Sequence, residues 1–267
     1  MAEKKIRVDD FLKYKEEKKK FSVLTAYNFQ IAKILDTAGV PMLLVGDSVG
    51  MVEAGYDSTL PVTMGEIIYH TRSVRRGVSS AFVVADMPFM SYQAGLRDAL
   101  KNAGRLIKKG GAEAVKIEGG LCVAPTVRAM TEIGIPVMGH IGLTPQSVNA
   151  LGGYKVQGKT KDEASRLLED ARALESAGIF ALVLEGVPAT LASEVTRELK
   201  IPTIGIGAGS GTDGQVLVIN DMLGLTPGKL PRFVKKYADL EGIITKATTG
   251  FIDEVRDGEF PKKEHSY

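Results

Sequence analysis

Short runs of Val, Ile and Leu alternate along this chain with longer stretches that have a helical pattern. Runs of this kind are typical of buried parallel strands, so the alternation predicts an α/β fold. Five of the runs end in an acid: Val45-Gly46-Asp47, Val84-Ala85-Asp86, Lys116-Ile117-Glu118, Leu184-Glu185 and Ile219-Asn220-Asp221. Because active sites of parallel α/β folds lie at the carboxyl ends of strands, this pattern predicts an enzyme.

The alternation of strand and helix predicts a single-domain (βα)8 barrel over residues 1–267, a length that suits this class. The predicted strands are Ser22–Tyr27, Met42–Asp47, Ala81–Asp86, Ala114–Glu118, Val137–His140, Ala181–Glu185, Thr203–Gly207 and Val216–Ile219. The predicted helices between them are Asn28–Ala38, Met64–Val78, Gly95–Lys109, Pro125–Ile133, Lys161–Ala177 and Thr190–Leu199. An N-terminal helical segment is expected at Val8–Lys20, and C-terminal helices at Phe233–Lys246 and Phe251–Val255.

The connection before the eighth strand departs from this pattern. Only Ala208–Gln215 is available there, which is shorter than the dozen residues of an ordinary parallel crossover. Either the connection is irregular, or Asp213–Ile219 is itself a helix and the eighth strand lies later.

Composition excludes several classes of function. A formal charge of +2 gives no support to nucleic-acid binding. Cys122 is the single cysteine, which excludes an intramolecular disulfide and favours a cytoplasmic setting. We expect Cys122 to be a small buried side chain rather than a reactive thiol. The charged segment Met1–Asp10 has no signal-type apolar core, and no run approaches the roughly 20 apolar residues that span a bilayer.

Three of the acids are predicted to lie on adjacent strands. Asp47, Asp86 and Glu118 end the second, third and fourth strands, and three oxygen donors in this arrangement suit Mg²⁺. Zinc is less favoured, because of the histidines only His140 falls at a strand end and the single cysteine makes no cluster. The alternative for each acid is that it caps the following helix or pairs with a basic side chain.

Three further side chains at strand ends are candidates for chemistry. Lys116 shares a face of its strand with Glu118, and it either holds a substrate carboxylate or forms an internal salt bridge with Glu118 or Asp86. His140 either polarises a substrate oxygen or is a hydrogen-bonded core residue. Glu185 lies across the mouth from the proposed metal, where a carboxylate is suited to act as a general base or caps the next helix.

Two insertions follow strands on the side where the acids collect. Gly50–Val62 follows the second strand and Gly142–Thr160 the fifth, and Gly152-Gly153-Tyr154 in the latter suits either a mobile lid or a packed loop. The glycines of Gly205–Gly209 suit either a phosphate cradle or close packing of backbone.

Longer motifs surround these candidate residues. They are Leu43–Met51, Asp86–Tyr92, Val115–Gly120, Met138–Gln146, and Gly205–Gly209 followed by Asp213–Val218. With these motifs in this order, the chain resembles the ketopantoate hydroxymethyltransferase family from about Ile6 to the tail at Glu264. The resemblance implies a (βα)8 barrel of the phosphoenolpyruvate/pyruvate-binding superfamily type.

The resemblance also implies roles for site residues. It implies a Mg²⁺ ion bound by Asp47 and Asp86, with Glu118 as the third acid at the metal. It implies an oxoacid substrate, and Glu185 as the proton acceptor. The positions matched to oxoacid contacts are Asp47, Ser48, Asp86 and Lys116, with His140 as a further site residue.

The reaction implied by the resemblance is a one-carbon transfer in pantothenate biosynthesis. A hydroxymethyl group passes from 5,10-methylenetetrahydrofolate to 3-methyl-2-oxobutanoate through a Mg²⁺-stabilised enolate, giving 2-dehydropantoate and tetrahydrofolate. The family forms large homo-oligomers, commonly decamers. The alternatives are a Mg²⁺-dependent oxoacid lyase or aldolase of the same superfamily that needs no folate, and a non-catalytic barrel that serves as a binding subunit.

Overall fold

A closed barrel of eight parallel strands forms the centre of the protein, with the strands in sequential order. The structure is a computed structural model that describes residues 4–267, so the first three residues of the charged segment Met1–Asp10 lie outside it. The strands are β1 (Phe21–Thr25), β2 (Met42–Val45), β3 (Phe82–Asp86), β4 (Ala114–Glu118), β5 (Val137–Gly142), β6 (Ala181–Glu185), β7 (Thr203–Ile206) and β8 (Gly214–Leu217). The predicted (βα)8 barrel is therefore confirmed.

Helices precede the barrel and connect most of its strands. They are α1 (Val8–Glu16), α2 (Phe29–Thr37), α3 (Val49–Val52), α4 (Met64–Gly77), α5 (Leu96–Arg105), α6 (Ala124–Glu132), α7 (Val148–Leu151), α8 (Lys161–Ser176) and α9 (Ala189–Glu198). Helix α5 continues as a π-helical turn at Leu106–Gly110. Thr63 and Thr160 begin α4 and α8 with capping boxes, in which the threonine and a glutamate three residues later satisfy each other's backbone N–H groups.

An aromatic cluster closes the end of the barrel at which the strands begin. Phe11 on α1 is fully buried. Its ring centroid lies 5.4 Å from that of Phe21, 5.6 Å from that of Phe82 and 6.3 Å from that of Phe180. Phe21 and Phe82 begin β1 and β3, and Phe180 precedes β6. Helix α1 therefore plugs this end, which leaves the opposite end, where the strands finish, for the site.

The connection between β7 and β8 is irregular, as one of the two alternatives predicted. Residues 207–213 contain no helix, and β8 pairs with β7 over Ile204↔Gly214 and Gly205↔Gln215. The alternative that Asp213–Ile219 is a helix is wrong. The run ending in Asp221 was also expected to be a strand end and is not, because Ile219 begins helix α10 (Ile219–Leu223).

Residues 219–267 form a second compact unit. Its main element is helix α11 (Leu240–Arg256), which replaces the two C-terminal helices that were predicted. Helix α11 begins later than the predicted start at Phe233, because Asp239 caps the helix and accepts a hydrogen bond from the backbone N–H of Gly242. The expected break before Phe251 does not occur, since the helix continues through Gly250.

Two further expectations concern exposure. Cys122 is exposed, so the expectation of a buried side chain is wrong. The reason is that it lies in a short turn, Leu121–Val123, in which no residue is buried. Within residues 4–267, no helix combines the length and the apolar character needed to cross a membrane.

Candidate active site

The acids of three neighbouring strand ends lie together in the barrel. Asp47, Asp86 and Glu118 are buried, with relative exposures of 4%, 2% and 4%. Parallel register places Asp86 beside Lys116 on β4, and it places Glu118 beside His140 on β5. The predicted convergence of these side chains is therefore present.

Lys116 lies between the acids. Its Nζ is 3.1 Å from Asp86 Oδ1, 3.7 Å from Glu118 Oε1 and 3.3 Å from the Nδ1 of His140. Burial lowers the pKa of Lys116, but the charges of Asp86 and Glu118 outweigh burial, and the net effect raises its pKa. The internal salt bridge that the sequence left open is thus formed, and it holds a fixed positive charge in the site.

His140 connects two carboxylates. Its Nδ1 lies 3.3 Å from Glu118 Oε1, and its Nε2 lies 3.3 Å from Glu185 Oε2. Burial and the charge of Lys116 lower the pKa of His140, but interactions with Glu118 and Glu185 raise it to about 9. The imidazole is therefore charged at neutral pH in this arrangement.

Asp47 and Asp86 share an unfavourable environment for negative charge. Burial raises the pKa of Asp47 well above its usual range, and the charges of Asp86 and Glu118 raise it further. Burial also raises the pKa of Asp86, against the opposing effect of Lys116. The backbone N–H of Asp47 donates to Asp86 Oδ2 at 3.0 Å, which holds the two residues together.

Ser48 follows Asp47 in the turn before α3. Its Oγ lies 2.8 Å from the hydroxyl of Tyr27, which comes directly after β1. The hydroxyl of Ser48 is thereby held beside Asp47, within the group of residues predicted to contact the oxoacid.

Glu185 ends β6 and is more exposed than the other acids, with a side-chain exposure of 16%. The neighbouring position on β5, Gly142, must be glycine because of its backbone conformation and its close approach to β6. Gly142 pairs with Glu185 in the parallel register and has φ of +93°, and a Cβ there would lie 2.3 Å from the Glu185 carbonyl oxygen. The absence of a side chain at Gly142 lets β5 and β6 finish side by side, so that His140 and Glu185 meet.

Gln146 and Tyr92 lie in the site, but neither was predicted from the sequence as a site residue. The side-chain amide of Gln146 donates to Asp47 Oδ2 at 2.8 Å, and its backbone N–H donates to Glu118 Oε2 at 3.0 Å. The hydroxyl of Tyr92 lies 2.8 Å from the side-chain oxygen of Gln146. Both residues stand at the ends of motifs noted above, and that position was the available signal.

The two insertions after β2 and β5 meet at the mouth. The hydroxyl of Tyr154 lies 3.8 Å from the sulfur of Met51. Burial raises the pKa of Tyr154, as do the charges of Asp47 and Glu185. These charges act on Tyr154 because its loop lies over the site. Whether this loop is a mobile lid stays a prediction.

The acid cluster fits a hard divalent cation. Asp86 Oδ1 and Glu118 Oε1 are buried and make no well-aligned hydrogen bond within the described part of the chain, although Lys116 lies near both. Oxygen donors are the ligands that Mg²⁺ prefers, and Mg²⁺ commonly uses one or two protein carboxylates with water and substrate. Among residues 4–267, no three acidic, histidine or cysteine side chains surround a common metal position. Glu118 as a third ligand therefore stays a prediction.

The fold places the chain in the class of closed parallel (βα)8 barrels. It is similar to the crystal structure of 2,3-dimethylmalate lyase, described as a PEP mutase/isocitrate lyase superfamily member, with a TM-score of 0.59 and 16% identity over 97% of this chain and 91% of that one. It is also similar to phosphonopyruvate hydrolase in complex with oxalate and Mg²⁺, with a TM-score of 0.62 and 12% identity over 97% and 93% of the two chains. These likenesses concern the fold alone.

Sequence comparison narrows this class to one family. The model of the ketopantoate hydroxymethyltransferase family matches residues 5–263. The chain is 57% identical to the 3-methyl-2-oxobutanoate hydroxymethyltransferase of Geobacter metallireducens, and 58% identical to that of Trichlorobacter lovleyi, over 99% of each chain. The chain belongs to the ketopantoate hydroxymethyltransferase family.

Proposed function

We propose that this chain transfers a hydroxymethyl group from 5,10-methylenetetrahydrofolate to 3-methyl-2-oxobutanoate. The products are 2-dehydropantoate and tetrahydrofolate, with uptake of one water. Family membership supports the reaction. The observation that carries the mechanism is a continuous series of ionisable side chains, which runs from Asp86 through Lys116, Glu118 and His140 to Glu185. It joins a buried acid cluster to a partly exposed base.

The oxoacid is an anion, and the site offers positive charge for it. Lys116 and His140 are both buried and both carry raised pKa values, so each remains charged at neutral pH. In the proposed complex the substrate carboxylate lies near Lys116. The hydroxyl of Ser48 and the carboxylates of Asp47 and Asp86 complete its surroundings.

Asp47 and Asp86 are the residues that we propose hold Mg²⁺, with Glu118 beside them. Their raised pKa values have burial as the largest cause, and a divalent cation would offset the cost of keeping them ionised. When bound, Mg²⁺ would supply Lewis-acid stabilisation of negative charge on the 2-oxo oxygen of the substrate.

Glu185 is the proposed general base. It takes the proton from C3 of the oxoacid, and the electron pair of that C–H bond moves towards the C2 carbonyl. The one-carbon unit is bound to two folate nitrogens, and one of these bonds breaks as its nitrogen takes a proton. C3 then forms a bond to this carbon. The second C–N bond is replaced by a C–O bond to water, whose proton passes to the released nitrogen. His140 lies 3.3 Å from Glu185 and orients the carboxylate that performs the first step.

Dependence on folate distinguishes the proposed hydroxymethyl transfer from the action of a lyase or aldolase. Purified protein with Mg²⁺ and 3-methyl-2-oxobutanoate should form 2-dehydropantoate and tetrahydrofolate in equal amounts when 5,10-methylenetetrahydrofolate is added. No product should form when the folate is omitted or when Glu185→Gln replaces the wild type. Cleavage of an oxoacid without folate would instead identify a lyase or aldolase of the same fold.

We further propose a homo-oligomer in the cytoplasm, of the size of a decamer. Apolar residues of α11 support association because they are more than half exposed: Ile243 60%, Ile244 52%, Phe251 54% and Ile252 56%. The single exposed cysteine suits a reducing compartment. Sedimentation velocity should give one species of about ten chains, and a monomer at micromolar concentration would contradict the assembly.

A further inference from the structure

We propose that Gln146 is a positioning residue that fixes the carboxylate of Asp47, and that Tyr92 acts through Gln146 by fixing its amide. The inference rests on the proposed function, because it assigns to Asp47 a role in binding the cation and the oxoacid. Gln146 itself contacts Asp47 and lies in the turn Pro145–Ser147 after β5.

The hydrogen bonds of the Gln146 amide allow only one orientation. Its Nε2 donates to Asp47 Oδ2 at 2.8 Å and to the backbone carbonyl of Met87 at 2.9 Å. A reversed amide would place its oxygen against these two acceptors, which leaves both without a donor in a buried place. Gln146 is only 4% exposed, so water cannot readily replace the lost hydrogen bonds.

Tyr92 supplies the nearer of two donors to the other end of the amide, and the second donor is the side-chain amide of Gln93 at 3.4 Å. Its hydroxyl lies 2.8 Å from Gln146 Oε1 and accepts a hydrogen bond from the backbone N–H of Glu118 at 3.3 Å. The carbonyl of Glu118 is also near, at 3.1 Å, but the hydroxyl has one proton and the oxygen of Gln146 is closer.

Gln146 joins four consecutive strand ends through these contacts. Asp47 follows β2, Met87 follows β3, Glu118 ends β4 and Gln146 follows β5. Its backbone N–H also donates to Glu118 Oε2 at 3.0 Å, so one residue restrains two of the three buried acids. Replacing the side chain removes the hydrogen bond to Asp47. The backbone N–H to Glu118 is retained, as are the contacts of Glu118 with Lys116 at 3.7 Å and with His140 at 3.3 Å, so the effect should fall on Asp47.

The test compares Gln146→Met and Tyr92→Phe with the matched control Gln157→Met. Gln157 lies further along the same insertion, and its amide donates to the backbone carbonyl of Lys155. Mn²⁺ alone serves as the metal probe, with free Mn²⁺ measured by electron paramagnetic resonance. Removing an outer partner of a metal ligand commonly costs 10–100-fold in affinity, so we expect about a tenfold or greater loss for Gln146→Met.

Tyr92→Phe should lose several-fold in Mn²⁺ affinity while keeping the wild-type circular dichroism spectrum and a melting temperature well above the temperature of the assay. The affinity for 3-methyl-2-oxobutanoate, measured with Mn²⁺ present, should also fall, and the loss should be larger for Gln146→Met than for Tyr92→Phe. Gln157→Met should match the wild type in both affinities. The double variant should bind Mn²⁺ no more weakly than Gln146→Met, because Tyr92 acts through Gln146.

Wild-type affinities in both single variants would overturn the proposal, as would a lowered melting temperature with unchanged affinities. If the losses of Mn²⁺ affinity in the two single variants added up in the double variant, Tyr92 would not act through Gln146. If Gln146→Met does not fold, Tyr92→Phe decides by the same measurements. These outcomes are separate from the proposed function, since Mn²⁺ binding is measured without folate and without turnover.

Discussion

Nε2 of His140 lies 3.3 Å from Oε2 of Glu185, which joins the buried acid cluster to the carboxylate at the mouth. His140 is 3% exposed, whereas the side chain of Glu185 is 16% exposed. A buried charged imidazole therefore stands behind a carboxylate that remains accessible to substrate. This pairing fixes the orientation of the proposed base without removing it from the mouth.

In the metal-free protein, His140 should lose its proton only well above neutral pH. Since its pKa is raised from 6.5 to about 9, the imidazole should be protonated at pH 7.5. Nitrogen-15 chemical shifts of labelled histidine should give a midpoint near 9 for His140. Glu185→Gln should lower this midpoint, because it removes one of the two carboxylates that stabilise the charge. A midpoint near 6.5 in the wild type would contradict the geometry.

The same pKa determines how stability depends on pH. Because the folded-state pKa is raised, the contribution of His140 is fully present below pH 6.5 and is lost as pH rises through about 9. The shift corresponds to roughly 3 kcal/mol. The difference in unfolding free energy between wild type and His140→Asn should therefore shrink between pH 6 and pH 9.5. A difference that does not change with pH would show that His140 is not charged in the folded protein.

Lys116 has both a structural and a binding role in this account. Lys116→Met should destabilise the metal-free protein by about 3–5 kcal/mol at pH 7, because it leaves buried carboxylates unpaired. Added Mg²⁺ should recover part of this loss. The variant should also bind 3-methyl-2-oxobutanoate more weakly, as calorimetry can measure. Unchanged oxoacid affinity with a large loss of stability would mean that the lysine is structural alone.

Asp86 is predicted to be required for the cation. Asp86→Asn retains the shape of the side chain and removes its charge, and activity should fall by about 10²–10³-fold. Mn²⁺ affinity should fall as well, while the circular dichroism spectrum stays that of the folded wild type. Asp170 on α8 provides a control, since Asp170→Asn changes a half-buried acid that bonds the backbone of Leu121. Normal turnover by Asp86→Asn in chelator-treated buffer would contradict the metal assignment.

Phe11 tests the closed end of the barrel separately from the site. It is fully buried among Phe21, Phe82 and Phe180, so Phe11→Ala should cost about 3–5 kcal/mol of unfolding free energy. Below the lowered melting temperature, the Michaelis constants should stay close to those of the wild type. A large change in substrate affinity would show that the two ends of the barrel are coupled.

Much of the fold could be predicted because buried parallel strands leave a clear pattern. The strands at Ala114–Glu118 and Ala181–Glu185 were predicted with the bounds that the structure has. The acids at the strand ends were found for the same reason, since a carboxylate after an apolar run is conspicuous. The C-terminal helices were misplaced because an amphipathic pattern does not reveal where a cap such as Asp239 begins a helix.

The rest of the site depends on contacts between distant parts of the chain. Tyr92 and Gln146 are 54 positions apart, and each is a single polar residue in a loop without a local pattern. The sequence indicated the face on which Lys116 lies, but its distance of 3.1 Å from Asp86 follows only from the folded structure. The choice between the two alternatives for Lys116 was therefore beyond the sequence.

The central claim is that Glu185 removes the C3 proton of the oxoacid before folate reacts. Proton magnetic resonance of 3-methyl-2-oxobutanoate in D₂O, with enzyme and Mg²⁺ but no folate, measures this step directly. The wild type should exchange the C3 proton for deuterium, and Glu185→Gln should bind the substrate without exchanging it. Exchange by Glu185→Gln at the wild-type rate would contradict the account, because a group other than Glu185 would then be the base.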